Sequence, residues 1–413
     1  MLVSAALTNI FIMENNGSPR RRRQRVFEHK SPARNKVSNN KNGNTKSLNP
    51  NLFIKKAEMQ EEKKYKSSQL IQDLPVNQRI IANLLKKGYK TPTEIQDKTI
   101  EALLSGRNLM GLAQTGTGKT GAFLIPIINN LLEQKPMFQV LIVSPTRELA
   151  MQIDSEFKSI ANGLNLSSTC LIGGTSVQRD VNNLRRPSHI IIGTPGRIAD
   201  MVRQRALNLP KFNILVLDEF DRLLDMGFSI EIQKLVDGMN NRKQTILFSA
   251  TEEKGQKQLI ANLLDNPFEV RVRAENISAD TIDQDIVRVK DGEKKMDVLL
   301  SMVRDKSFEK VLVFAETKRW VTRICRDLRN AGIKADEIHG NKSQNYRINA
   351  LDSFKNKKIQ VLVATDVAAR GLDISNVSHV INYQQPKNMD SYIHRIGRTG
   401  RAGESGKAFT FIN

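Results

Sequence analysis

Residues 113–120 read AQTGTGKT, that is Ala113, Gln114, Thr115, Gly116, Thr117, Gly118, Lys119 and Thr120. An apolar run, NLMGLA (108–113), leads into them and a helix-length apolar run, GAFLIPIINNLL (121–132), follows, so the region reads as strand, loop and helix. Gly116 and Gly118 let the backbone turn tightly enough to aim N–H groups at phosphate oxygens, and the positive end of the following helix adds to that field. In such a loop Lys119 reaches the β and γ phosphates of a nucleoside triphosphate, and the Thr120 hydroxyl binds Mg²⁺. The generic phosphate-loop pattern has Gly where Ala113 stands. An ordinary glycine-containing turn is the competing reading, and the flanking strand and helix favour the nucleotide site.

Outward from that loop the chain repeats one pattern. Short apolar runs, VLIVS, TCLIGG, HIIIG, ILVLDE and TILFSA, alternate with helix-length amphipathic segments. A second series, DIVRVK, VLVFA, DEIHG, VLVAT, HVINY and AFTFI, does the same after Ala274. Alternation of this kind predicts parallel sheets covered by helices on both faces, here two tandem doubly wound α/β domains. The expected division is a basic N-terminal arm over 1–66, a nucleotide-binding domain over 67–273, a linker over 274–283 and a second domain over 284–413.

The arm is made of different material. Its 66 residues carry fifteen Lys and Arg against five Glu and no Asp, a net +10, and the stretch NKVSNNKNGNTKSLNPN is too polar to bury a core. The expectation is disorder. The run RRRRQR (20–25) fits, in descending order, phosphate binding, a nuclear address or a solvated tail. The whole chain of 413 residues carries a formal charge of +21 with a pI of about 9.9, which points to a polyanionic partner, nucleic acid ahead of membrane. Residues 1–12 are too short an apolar run to span a bilayer. Cys170 and Cys325 fall in different halves without metal-ligand or redox spacing, so they read as buried thiols of a reducing compartment.

Most clusters of unusual residues sit just past the carboxyl end of an apolar run, where open parallel sheets bind ligands. After ILVL come Asp218, Glu219, Phe220 and Asp221. Asp218 is placed to bind the Mg²⁺ of a nucleotide held by the loop, and Glu219 to orient a water for attack on the γ phosphate.

From about Ile71 to Phe411 the chain resembles the helicase core of the DEAD-box RNA helicases, whose motifs occur complete and in order: GYKTPTEIQ (88–96), AQTGTGKT, PTRELA (145–150), Gly173-Gly174, TPGR (194–197), SAT (249–251), VLVFAETK (311–318), HGNKSQNYR (339–347), ATDVAARGLDI (364–374) and HRIGRTGR (394–401). The resemblance implies two RecA-like domains, ATP and Mg²⁺ as cofactors, and RNA-stimulated ATP hydrolysis. It implies that Gln96 reads adenine, that Lys119, Asp218, Glu219 and the arginine fingers Arg398 and Arg401 serve catalysis, and that Asp373 meets the ribose. Thr146, Arg147, Gly173, Gly174, Thr194, Arg197, Arg347 and Thr365 would contact RNA through phosphate and ribose, with little sequence preference. Ser249, Thr251, Asp221 and His394 would couple hydrolysis to RNA grip. A monomer in the cytoplasm, working on RNA beside RNP or RNA-processing proteins and away from membranes, completes what the resemblance implies.

Two departures matter. Phe220 replaces the family's Ala, and on an extended strand end its ring would point away from Glu219 into the protein. Ile71, seventeen residues before Gly88, stands where the family carries an aromatic near adenine. The leading reading is an RNA helicase that clamps a single strand and separates short duplexes; an ATP-gated RNA clamp slowed by Phe220 is the second. A translocating DNA helicase is disfavoured by GYKTPTEIQ and PTRELA.

Overall fold

The structure is a computed structural model and describes residues 48–57, 65, 67–114, 116–133, 139–186, 188–251, 256–272, 282–369, 374, 377–400 and 406–412. In the first lobe the strands are β1 (Leu109–Leu112), β2 (Gln139–Val143), β3 (Ser168–Leu171), β4 (Ile190–Gly193), β5 (Phe212–Leu217), β6 (Gln244–Ser249) and β7 (Phe268–Arg271). They form one parallel sheet in the order β3-β4-β2-β5-β6-β1-β7. Its helices are α1 (Gln78–Lys86), α2 (Glu94–Leu104), α3 (Lys119–Glu133), α4 (Arg147–Ile160), α5 (Val177–Leu184), α6 (Pro195–Arg203), α7 (Phe220–Asp225), α8 (Ser229–Gly238) and α9 (Lys257–Leu263).

The second lobe holds β8 (Ile282–Arg288), β9 (Val311–Phe314), β10 (Ala335–Ile338), β11 (Val361–Ala364), β12 (His379–Asn382) and β13 (Gly406–Ile412), parallel in the order β10-β11-β9-β12-β13-β8. Around them lie α10 (Lys295–Arg304), α11 (Lys318–Asn330), α12 (Gln344–Lys355), α13 (Asp366–Ala369) and α14 (Met389–Ile396). Both lobes are the doubly wound α/β units that the alternation predicts.

The period of two along each strand divides the side chains between two cores. Val140, Ile142, Ile214 and Val216 pack under one face of the first sheet, and Leu141, Val143, Leu215 and Leu217 under the other. In the second sheet Leu312 and Phe314 separate from Val311 and Val313 in the same way. A sheet buried on both faces explains why its strands read as unbroken apolar runs.

Strand register aligns the ends that matter. Leu171, Gly193, Val143 and Leu217 lie in one row across β3, β4, β2 and β5, and Leu112 lies beside Ser249. Ile338, Ala364, Phe314, Asn382 and Thr410 form the matching row of the second sheet. Every motif of the sequence that follows a strand therefore leaves its sheet at the same edge.

The arm is corrected at its distal end. Residues 48–57 are folded onto the second lobe: Pro50–Phe53 form a 3-10 turn capped by the Asn49 side chain, Phe53 is wholly buried, and Lys55 makes an antiparallel bridge to Gln284 on the free edge of β8. An Asn-Pro turn followed by Leu52, Phe53 and Ile54 gives this short piece the apolar side chains that the polar stretch before it lacks. The stretch 1–47, with Arg20–Arg25, lies outside the described residues, as does most of the proposed linker; β8 begins at Ile282, within the last two positions assigned to it. The chain thus meets the second lobe at Ala57, the first at Tyr65, whose hydroxyl donates to Asp97, and the second again from Ile282. No helix among the described residues is long and apolar enough to cross a membrane.

Candidate ATP and RNA site

The loop after β1 turns where its glycines allow. Gly116 and Gly118 hold φ of 91° and 95°, and a Cβ on Gly118 would lie 2.6 Å from the Thr93 hydroxyl and 2.8 Å from the Gln96 amide. Lys119, buried at the first position of α3, donates from Nζ to the Ala113 carbonyl at 2.8 Å, so its ammonium folds back over the loop. Thr117 donates to the Gln114 carbonyl at 2.9 Å, and Thr120 is half-buried one residue into the helix. The Ala113 methyl belongs to the first core, which accounts for Ala in place of Gly. Thr115 lies outside the described residues.

Gln96 is buried and braces the same loop: Nε2 donates to the Gly118 carbonyl at 3.1 Å while Oε1 accepts the Thr93 N–H at 3.1 Å. One amide hydrogen and one lone pair remain for a base edge. Ile71, by contrast, has no exposed surface and sits in the first core, so its side chain presents no face to a base.

Asp218 follows β5 directly and is buried; one carboxylate oxygen accepts the Glu219 N–H at 2.9 Å. Burial above all pushes its pKa up to about 6, Lys119 opposing and Glu219 adding to the rise. A buried carboxylate, together with the Thr120 hydroxyl in the first turn of α3, fits Mg²⁺, which takes one or two protein oxygens and completes its shell with phosphate and water.

Glu219 does not continue the strand as the extended reading supposed. It adopts the left-handed conformation (φ 50°, ψ 53°), which non-glycine residues take up rarely, and starts α7. Its buried carboxylate pairs with Arg222 at 2.7 Å. Phe220, the first residue of α7, puts its ring wholly into the core beneath the sheet, so the expected placement holds although the geometry behind it is a turn.

These groups are wired to one another. The Ala113 N–H donates to the Ser249 carbonyl at 2.9 Å, the Ser249 hydroxyl to the Thr251 carbonyl at 2.6 Å, and the Thr251 hydroxyl to Asp221 Oδ2 at 3.4 Å. Asp221 Oδ1 is buried without a hydrogen-bond partner among the described residues.

The first-lobe residues assigned to RNA divide into two kinds. Arg147 lies over Gly173 and Gly174, whose added Cβ atoms would fall 3.1 Å and 2.3 Å from its guanidinium; the doublet makes room for this arginine rather than directly for a strand. Thr146 caps α4 by accepting the Leu149 N–H, and Thr194, half-buried, precedes α6. Arg197 is buried and committed: it pairs with Asp180 and donates to the Thr175 hydroxyl and carbonyl at 3.2 and 2.9 Å. It thereby ties Thr175, directly after the Gly173-Gly174 doublet, to α6.

In the second lobe Arg347 points back to the first. Its guanidinium pairs with Glu148 at 3.1 Å, Gln344 donates to the same carboxylate at 2.9 Å, and Arg347 Nε is buried without a partner among the described residues. Burial pushes the Arg347 pKa down, Glu148 opposing. Thr365 starts the turn into α13, accepting the N–H groups of Ala368 and Ala369. Arg398 is buried just past α14, and His394 is half-buried on it. Asp373 and Arg401 lie outside the described residues.

The sequence profile of the DEAD/DEAH box helicases matches residues 93–259, and that of the helicase conserved C-terminal domain matches 294–403. The ATP-dependent RNA helicase CshA of Limosilactobacillus reuteri is 39% identical over 340 residues, 82% of this chain and 68% of that one. The chain belongs to the DEAD-box family of ATP-dependent RNA helicases. About a third of that DEAD-box relative has no counterpart in the match. Among solved DEAD-box structures, Saccharomyces cerevisiae Dbp5 bound to RNA and ADP BeF3 superposes with a TM-score of 0.74 at 28% identity, over 84% of this chain and 90% of that one. Mss116p bound to ssRNA and AMP-PNP gives 0.72 at 31% identity, over 84% and 76%.

Sequence reasoning missed four partners. Glu148 and Gln344 lie inside quoted motifs but were given no role. Asp366 holds Arg395 in a two-pronged pair at 2.6 and 2.7 Å, fixing the helix before Arg398, and Arg222 neutralises Glu219. Each was legible only as a charged or polar letter in or beside a motif.

Proposed function

We propose that this chain hydrolyses ATP when a single RNA strand bridges its two lobes, and that the grip so formed separates short duplexes. The observation that carries the reading is the meeting of Glu148 with Gln344 and Arg347, which joins the phosphate-contact surfaces of the two lobes. Arg147 on one side and Arg347 and Thr365 on the other then follow one strand through its backbone, a sequence-tolerant and salt-sensitive mode.

Gln96 selects adenine with the amide groups that the loop leaves open. Lys119 turns from the Ala113 carbonyl to the β and γ phosphates. Thr120 and Asp218 would hold Mg²⁺, which when bound neutralises charge on the phosphate oxygens. Glu219, fixed by its turn and by Arg222, orients the attacking water. Arg398 meets the charge of the transition state, a contribution worth about 10³ to 10⁵ in rate for such fingers. Asp221 Oδ1 offers an acceptor to His394, and Ser249 and Thr251 pass its position to the phosphate loop. Burial of Phe220 in the core supports this reading over the slow clamp. The two cysteines, both free and both held far above the usual thiol range by burial, support work in a reducing cytoplasm.

Displacement of a short RNA duplex next to a single-stranded overhang tests the reading. It should require ATP and be lost in Glu219→Gln; displacement without nucleotide, or hydrolysis that ignores RNA, would contradict it.

A further inference from the structure

Phe53 is fully buried in the second-lobe core and meets the Tyr392 ring edge-on, with centroids 4.8 Å apart. Tyr392 belongs to α14, and its hydroxyl donates to Gln284 Oε1 at 3.0 Å. Gln284 in turn exchanges both backbone hydrogen bonds with Lys55, at 3.0 and 2.8 Å, and Asp283 accepts the Ala57 N–H at 3.1 Å. Residues 50–57 thus bridge the free sheet edge at Gln284 and touch the helix that leads to Arg398. An unpaired edge strand is otherwise a liability, and this piece covers it.

We infer that residues 50–57 are a positioning element for α14 and, through it, for Arg398. The helix is held at two points of one face, three residues apart: Arg395 by Asp366, and Tyr392 by Phe53 and Gln284. Two anchors fix the roll of a helix where one leaves it free to turn. Arg398 lies just beyond the second anchor, so a small rotation displaces its guanidinium. The element comes from the opposite end of the chain, before the nucleotide-binding lobe, and its bridge at Lys55, its hydrogen bond at Ala57 and its ring contact at Phe53 are all made to the second lobe. Its loss therefore acts on turnover and not on nucleotide binding.

The inference rests on the reading of Arg398 as a finger, and the experiment separates the two. In the full chain, Phe53→Ala, Lys55→Pro, Phe53→Leu and Arg398→Ala are compared for kcat and KM at saturating RNA and for affinity toward a fluorescent ATP analogue. Lys55→Pro removes the N–H that bonds Gln284. Phe53→Ala and Lys55→Pro should lower kcat about ten-fold, the scale of a small misplacement remote from the chemistry, with analogue affinity unchanged. Phe53→Leu, which keeps an apolar side chain there, should restore most of the loss. Hydrogen exchange at the Gln284 amide should quicken in Lys55→Pro, showing that the edge has opened while the lobe stays folded. Wild-type kcat in both Phe53→Ala and Lys55→Pro overturns the inference when Arg398→Ala is inactive. Wild-type kcat in Arg398→Ala overturns the finger reading itself.

Discussion

The two lobes share an architecture but reach their working geometry differently. In the first, each group at the phosphate loop is held by a neighbour in the same lobe: Lys119 by the Ala113 carbonyl, Gln96 by Gly118 and Thr93, Glu219 by Arg222. In the second, the helix before Arg398 leans on residues some 340 positions earlier in the chain, and Arg347 leans on Glu148 of the other lobe. On the proposed function, the first lobe would bind nucleotide alone and the second would contribute only when assembled. A single motif can specify a self-contained loop. A group shared between distant segments needs the whole chain.

The contrast is sharpest between Lys119 and Arg398. Lys119→Ala should abolish both ATP binding and turnover, because it removes charge from the loop itself. Arg398→Ala should leave binding in place and reduce turnover by about 10³-fold or more, as expected for a finger that acts in the transition state. Equal loss of binding in the two variants would erase the division between the lobes.

Phe220 tests whether the departure from the family pattern belongs to the core or to the chemistry. Phe220→Ala leaves a cavity under the first sheet and should cost ~3–5 kcal/mol by denaturant unfolding, with turnover close to wild type while the fold persists. A several-fold rise in turnover at unchanged stability would return the ring to the active site.

The smallest expected effect belongs to the second lobe. His379 is stacked on Phe308, 3.8 Å between ring centroids, and burial, with Lys407 nearby, lowers its pKa from 6.5 to about 4. Between those values the unfolded chain takes up a proton that the folded chain refuses, so stability rises with pH across the window and is lost as pH falls from about 6.5 toward about 4. His379→Phe should flatten that part of the pH profile of unfolding. A slope equal to wild type would assign it elsewhere.

The fold was legible because strands buried on both faces cannot hide their apolar runs, and β7, the short FEVR segment on the edge, was missed for the converse reason: two of its four side chains are exposed. Lys119, Asp218 and Glu219 stood out in the sequence because phosphate chemistry demands those residue types beside glycines that turn. The partner of Arg197 was not legible because charge does not reveal it; Asp180, seventeen residues earlier, pairs with it. The segment 48–57 was read with the polar arm because Phe53 acquires a core only from the distant Tyr392 and β8.

RNA-stimulated phosphate release, followed in the full chain at saturating ATP, tests most directly the claim that the site is completed across two lobes. Wild type should release phosphate faster as single-stranded RNA is added, while Arg398→Ala binds nucleotide but stays at the RNA-free rate. The same rate with and without RNA, or the same stimulation in Arg398→Ala, would contradict it.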